Sequence, residues 1–223
     1  MLPTPPFFRW ANHMMQLTEL QQDALAETFN ISLGEAAAAL STLVNEEVLL
    51  SIPVVELIPA AELAERLDPR FTQSDRVCGV HQEFTMPDQA NFRTDTLLLF
   101  GERGGMEVVR LMLGHAAPIG QITELEQEAL SEVGNIIINA CTSAIANLFR
   151  KEMIGSLPTI AIANNGEAIL PKHDPQDTIL VSKINLEIKA REVNGYVVYM
   201  MDLASLGTFV KNATQAFGLP DGA

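Results

Sequence analysis

Only two cysteines are present, Cys78 and Cys141, and they lie far apart with no Cys-x-x-Cys spacing. A disulfide framework or thiolate metal site is therefore not indicated, and a reducing compartment fits. Basic residues are also scarce, with 14 Lys and Arg against 28 Asp and Glu, for a formal net charge of −14. Such a surface repels phosphate backbones and anionic lipid, which weighs against nucleic-acid and membrane-surface roles. No apolar stretch is expected to reach transmembrane length, and the N-terminus MLPTPPFFRWANHMM lacks a charged segment followed by a sustained apolar one. A cytoplasmic protein is expected.

Common catalytic signatures are missing as well. His13, His81, His115 and His173 are dispersed, with no His-x3-His and no neighbouring acidic ligand set. Gly101-Glu-Arg-Gly-Gly105 lacks the Lys-Ser/Thr that completes a phosphate loop and reads as a turn. There is no Gly-x-Ser-x-Gly elbow. No metal or cofactor site in this chain is expected.

What is present is a core and a repeat. Apolar residues make up 48% of 223 positions, enough to bury a core and to exclude disorder over most of the length. Shifted by 105 positions, LTELQQDALAETFNI from Leu17 falls on ITELEQEALSEVGNI from Ile122, and 14 of 36 positions between Thr18 and Pro53 are then identical. A gap-free match of that length implies internal duplication. The expected layout is an extension over 1–16, then one domain over 17–223 made of two repeats, 17–113 and 122–217. Residues 114–121 join them, too short a connection for free domains on a linker.

Each half reads as a long helical segment, about three strands and a closing helix. Residues 76–84 and 179–189 alternate as half-buried strands, and 94–100 and 195–201 are short apolar core strands. Residues 106–113 and 206–217 look like the closing helices. Ser51-Ile-Pro53 and Ser156-Leu-Pro158 are expected to open the first strand of each half, where a missing N–H costs little. Surface loops are expected near Pro87-Asp-Gln and over Pro171–Pro175. The fold class is α+β, with two pseudo-twofold halves, a central, largely antiparallel sheet and flanking helices.

One constellation carries chemistry. The first half spells Asp23-x3-Glu27-x2-Asn30-x22-Pro53, and the second Glu128-x3-Glu132-x2-Asn135-x22-Pro158. Residues three and four apart share a helix face, so each trio forms one polar patch. Leu20, Leu25, Phe29 and Leu33, then Leu125, Leu130, Val133 and Ile137, are expected on the opposite faces. Asp23 and Glu128 either extend the patch or simply favour the helix N-terminal dipole. Pro53 and Pro158 suit an architectural role where helix gives way to strand.

This Asp/Ser-x3-Glu-x2-Asn-x22-Pro pattern resembles the signature of the CheC, CheX and FliY phosphatases, which act on the phosphorylated response regulator CheY. The first half fits at every specified position, and the second departs only at Glu128. The resemblance covers nearly the whole chain after residue 16. It implies hydrolysis of an aspartyl phosphate, with Asn30 and Asn135 orienting the attacking water as a glutamine does in GTP hydrolysis, since a carboxamide supplies a donor and an acceptor and, being neutral, does not repel phosphoryl oxygens. On the same resemblance, Glu27 and Glu132 pair with a lysine of the CheY-like receiver and Mg²⁺ arrives on that partner. It also implies rivals: a binding module acting through the deamidase CheD, or a structural domain like that of the switch protein FliM, which lacks the Glu-Asn pairs. FliY carries a further C-terminal switch domain, whereas this chain ends at Ala223, so a free-standing phosphatase is expected. Of the two sites, Glu132–Asn135 is expected to be the stronger. Gly134 keeps the small residue usual before the asparagine, whereas the Phe29 ring either crowds a docking partner or turns into the core.

Overall fold

In the structure, a computed structural model, residues 17–67, 76–114, 123–164, 169, 177–188 and 191–218 are described. The extension over 1–16, most of the joining segment, the Pro171–Pro175 loop, His13, His115 and His173 lie outside them.

The two long helices, α1 (Glu19–Val44) and α4 (Glu124–Phe149), begin and end alike. Thr18 and Thr123 cap them, each in a reciprocal capping box with Gln21 or Glu126. Asn45 and Arg150 end them in the left-handed conformation, at φ 52° and 53°. Leu25, Phe29 and Leu33 of α1 and Leu130, Val133 and Ile137 of α4 are buried, as their spacing implies. Leu20 and Leu125 are instead exposed, because the capping-box residues Gln21 and Glu126 occupy the buried position beside them.

The strands β1 (Val48–Pro59), β2 (Val77–Met86), β3 (Gln89–Gly101), β4 (Ile154–Gly155), β5 (Thr159–Ala163), β6 (Thr178–Ile188) and β7 (Arg191–Met201) form one sheet. Its order is β1-β6-β7-β3-β2-β4, with β5 also on β2, and every pairing is antiparallel. The alternation seen in sequence is real, but the core strands run longer than their apolar stretches because the hairpin ends continue the ladder. Pro87 and Asp88 form a turn between β2 and β3.

The helices α1 and α4, with α3 (Glu102–Leu113) and α5 (Leu203–Ala216), cover one face of the sheet and enclose the main core. α4 packs against each of the other three. A 3₁₀ turn (Ala60–Glu62) and the short α2 (Leu63–Arg66) cover part of the other face, over Ile58, Leu97, Leu99 and Val198. α4 is long and apolar enough to cross a membrane by length and composition, contrary to expectation, but over half of that stretch is buried in this core.

Two expectations about glycine and proline are corrected. The Gly101–Gly105 stretch is not a turn but runs into α3; a Cβ on Gly104 would approach Val193 to 2.8 Å, so the glycine lets the helix lie close to the sheet. Pro53 does not open β1 but lies inside it, where the register slips between Ser51 and Val54. A bulge tolerates a residue with no N–H. In the second half Ser156–Pro158 separates β4 from β5, and Pro158 immediately precedes the latter.

Candidate functional site

Glu27 and Asp23 are exposed on α1, and Asn30 is half-buried beside β1. The Ile52 N–H donates to Asn30 Oδ1 at 2.7 Å, and Asn30 Nδ2 reaches the Ile52 carbonyl at 3.5 Å. The spacing to Pro53 thus has a physical meaning: the residue before the proline supplies the backbone groups that hold the amide. A backbone N–H can only donate, so this contact fixes which end of the carboxamide faces the strand.

On α4, Glu132 and Glu128 are exposed and Asn135 is half-buried, but its amide is held differently. Asn135 Oδ1 accepts from Gln82 Nε2 at 3.2 Å and from Asn139 Nδ2 at 2.7 Å. Gln82 Nε2 also donates to the Ser156 carbonyl at 3.0 Å, and Asn139 Nδ2 to the Asn135 carbonyl at 2.7 Å. Gln82 Oε1 is buried with no partner among the described residues.

Sequence spacing missed Gln82, because it reaches the second helix from a hairpin of the first half. A signal was available: β2 sends Cys78, Val80, Phe84 and Met86 into the main core, and Gln82 is the polar residue in that series.

Among the described residues Asp23, Glu27, Glu128 and Glu132 make no hydrogen bond or ion pair, and none joins the two trios. Asp23 lies beyond the first turn of α1, where the dipole has faded. The half-buried Pro158 stands beside Leu157, which is 87% exposed, and Ile31 beside Asn30 is exposed too. Each site is thus an unpaired carboxylate and an anchored amide rimmed by apolar surface.

Other titratable clusters lie elsewhere. On the opposite sheet face the bond from His81 holds the Asp95 carboxyl below its usual range. Burial pushes both Cys78 and Cys141 up to about 12, so neither offers a thiolate near neutral pH. No group of three or more His, Cys, Asp or Glu among the described residues could hold a metal ion.

No family model matches the chain. It is 25% identical over 181 residues to the flagellar motor switch phosphatase FliY of Bacillus subtilis, a match that takes in 79% of this chain and 44% of the relative. The chain therefore spans less than half of that protein's length. Its fold is similar to that of Thermotoga maritima FliY, with a TM-score of 0.71 at 18% identity over 91% of this chain and 100% of that one. The FliM middle domain of H. pylori matches at a TM-score of 0.63 and 11% identity, over 88% and 99%. The chain has the CheC-like fold shared by these proteins, as its sequence resemblance implied.

Proposed function

We propose that the protein is a cytoplasmic phosphatase for the aspartyl phosphate of a CheY-like receiver domain. The observation that carries this is the pairing, on each long helix, of an exposed, unpartnered glutamate with an asparagine whose amide is anchored from behind. An aspartyl phosphate is already activated, and placing a water in line with the leaving oxygen is what accelerates its loss. An amide held by the strand meets that need without reorganising. Glu27 and Glu132 dock a cation of the receiver, and the apolar rim at Ile31 and Leu157 supplies area for contact. Mg²⁺ is carried by the phosphorylated partner and neutralises the phosphoryl oxygens there.

A second reading is favoured by the FliM likeness in fold: a binding module that acts through switch proteins or CheD without hydrolysis. One assay separates them. The half-life of an acetyl-phosphate-labelled CheY-type receiver is measured with and without the protein. The wild type should shorten it, and Asn30→Ala with Asn135→Ala should return it to the unaided value while the melting temperature stays within a few degrees. A wild type that binds the receiver but leaves the half-life unchanged supports the binding module instead.

A further inference from the structure

The two asparagines differ in what they have left to offer a water. A carbonyl oxygen carries two lone pairs. Asn30 Oδ1 receives one donor, the Ile52 N–H, and keeps the other lone pair. Asn135 Oδ1 receives two, from Gln82 and Asn139, and so has none to spare. The Ser156 carbonyl requires Gln82 to present its NH₂, and the Asn135 carbonyl requires the same of Asn139. Two donors then converge on the Asn135 side chain, which must answer with its oxygen and turn its own NH₂ away.

Neither donor has an equivalent in the first half. Under the 105-position shift Asn139 falls on Gly34, which is exposed on α1 with open space around it. The strand pairings identify the counterpart of Gln82. Val54 pairs with Lys183 and Leu50 with Leu186, while the matching Thr159 and Gly155 pair with His81 and Phe84. Gln82 therefore stands where Ile184 stands, and Ile184 is fully buried and apolar. An isoleucine would fill the Gln82 position without leaving a buried carbonyl unpaired, as Gln82 Oε1 is.

The geometry points to Gln82 and Asn139 as positioning residues that make the second site donor-only, so that Asn30 orients the attacking water and Asn135 binds the receiver without hydrolysing it well. Glu27–Asn30 is then the hydrolytic site. This rests on the phosphatase reading above and adds to it a division of labour between the halves. As the water oxygen bonds to phosphorus, the bond from phosphorus to the aspartyl oxygen breaks and the water's proton leaves with the released phosphate. To be held in line the water donates a hydrogen bond, and of the two amides only Asn30 keeps an acceptor for it. The outward NH₂ of Asn135 suits phosphoryl or carbonyl oxygens of the docked receiver.

The test measures phosphoryl loss from the labelled receiver over a range of receiver concentrations, to separate kcat from KM. Asn30→Ala should lower kcat about tenfold, and Asn135→Ala should raise KM with kcat nearly unchanged. In the Asn30→Ala background, Gln82→Ile with Asn139→Ala should restore kcat about five- to tenfold by freeing the Asn135 oxygen. A structural role alone would give no such gain. Should the buried change at Gln82 impair folding, the exposed Gly34→Asn in an Asn135→Ala background keeps the question decidable. It should lower kcat several-fold by filling the free lone pair of Asn30. An active wild type in which Asn30→Ala leaves kcat intact, or in which neither the gain nor the loss appears in folded protein, overturns the division of labour alone. A wild type that does not accelerate phosphoryl loss at all overturns the phosphatase reading and this inference with it.

Discussion

Phe29 in α1 and Gly134 in α4 fall on the same position under the repeat shift, and each immediately precedes its asparagine. Both are buried, and they meet the protein interior in opposite ways. Phe29 places its ring over Tyr199 of β7, stacked at 6.4 Å between centroids. Gly134 brings its own backbone down onto β2, where an added Cβ would meet three Val80 atoms at 2.5, 2.5 and 2.6 Å. One helix stands on an aromatic ring; the other lies on a valine. The small residue before Asn135 therefore reflects close packing against the sheet and gives no room to a docking partner. Phe29 does not crowd one either, since its ring is turned inward. The residue before each asparagine therefore gives no ground for ranking one site above the other, and the division of labour proposed above puts the first site ahead on the acceptor left on Asn30.

Phe29→Ala should have the largest effect on this comparison. The ring is fully buried and its removal leaves a cavity against Tyr199, so unfolding free energy should fall by about 3–5 kcal/mol. Urea denaturation measures it. Activity per folded molecule should not rise. If instead the folded variant hydrolyses the receiver faster than wild type, the ring does obstruct docking and its inward packing is incidental.

Much of the fold was legible because its signals are local. Apolar periodicity and strand alternation each act within a few residues, so the long helical segment and the hairpin of each half could be placed from sequence with errors only at their ends. The Glu-Asn pairs were legible for the same reason. What was not legible depends on contacts between halves. Gln82 on β2 reaches Asn135 across 53 residues, and nothing in its neighbours' spacing announces that its partner lies on α4. How closely Phe29 and Gly134 approach the sheet was equally hidden, since a polar patch on one face does not say how far the opposite face stands from it. The Gly101–Gly105 stretch failed for a related reason: local propensity favours a turn, and tertiary packing against Val193 favours a helix.

Gly134→Ala should give an intermediate effect with a sign that tests the packing claim directly. In an open helix, alanine in place of glycine stabilises by about 1 kcal/mol. Here the new methyl group would overlap the Val80 side chain, at a cost of about 1–3 kcal/mol. The expected net result is destabilisation of up to about 2 kcal/mol, the overlap outweighing the propensity gain. A stabilised Gly134→Ala protein, read from the same urea transition, would show that α4 has room to lift from β2.

Gly34→Ala should have the smallest effect and the opposite sign. Gly34 lies inside the 26-residue α1, and a Cβ built there meets nothing within 4 Å. Its backbone is helical, so alanine needs no strained conformation, and it removes the glycine's larger entropy loss on folding. Stability should rise by about 0.5–1 kcal/mol. The methyl group carries no donor, so the free lone pair of Asn30 should be untouched and the rate of phosphoryl loss preserved. That separates Gly34 from its counterpart Asn139, whose amide fills the acceptor one turn before it. Should Gly34→Ala stabilise the protein and still slow hydrolysis, the glycine would be needed for the receiver to approach α1. The contrast between the sites would then lie in access to the helix surface, with the hydrogen bonds of the amides secondary.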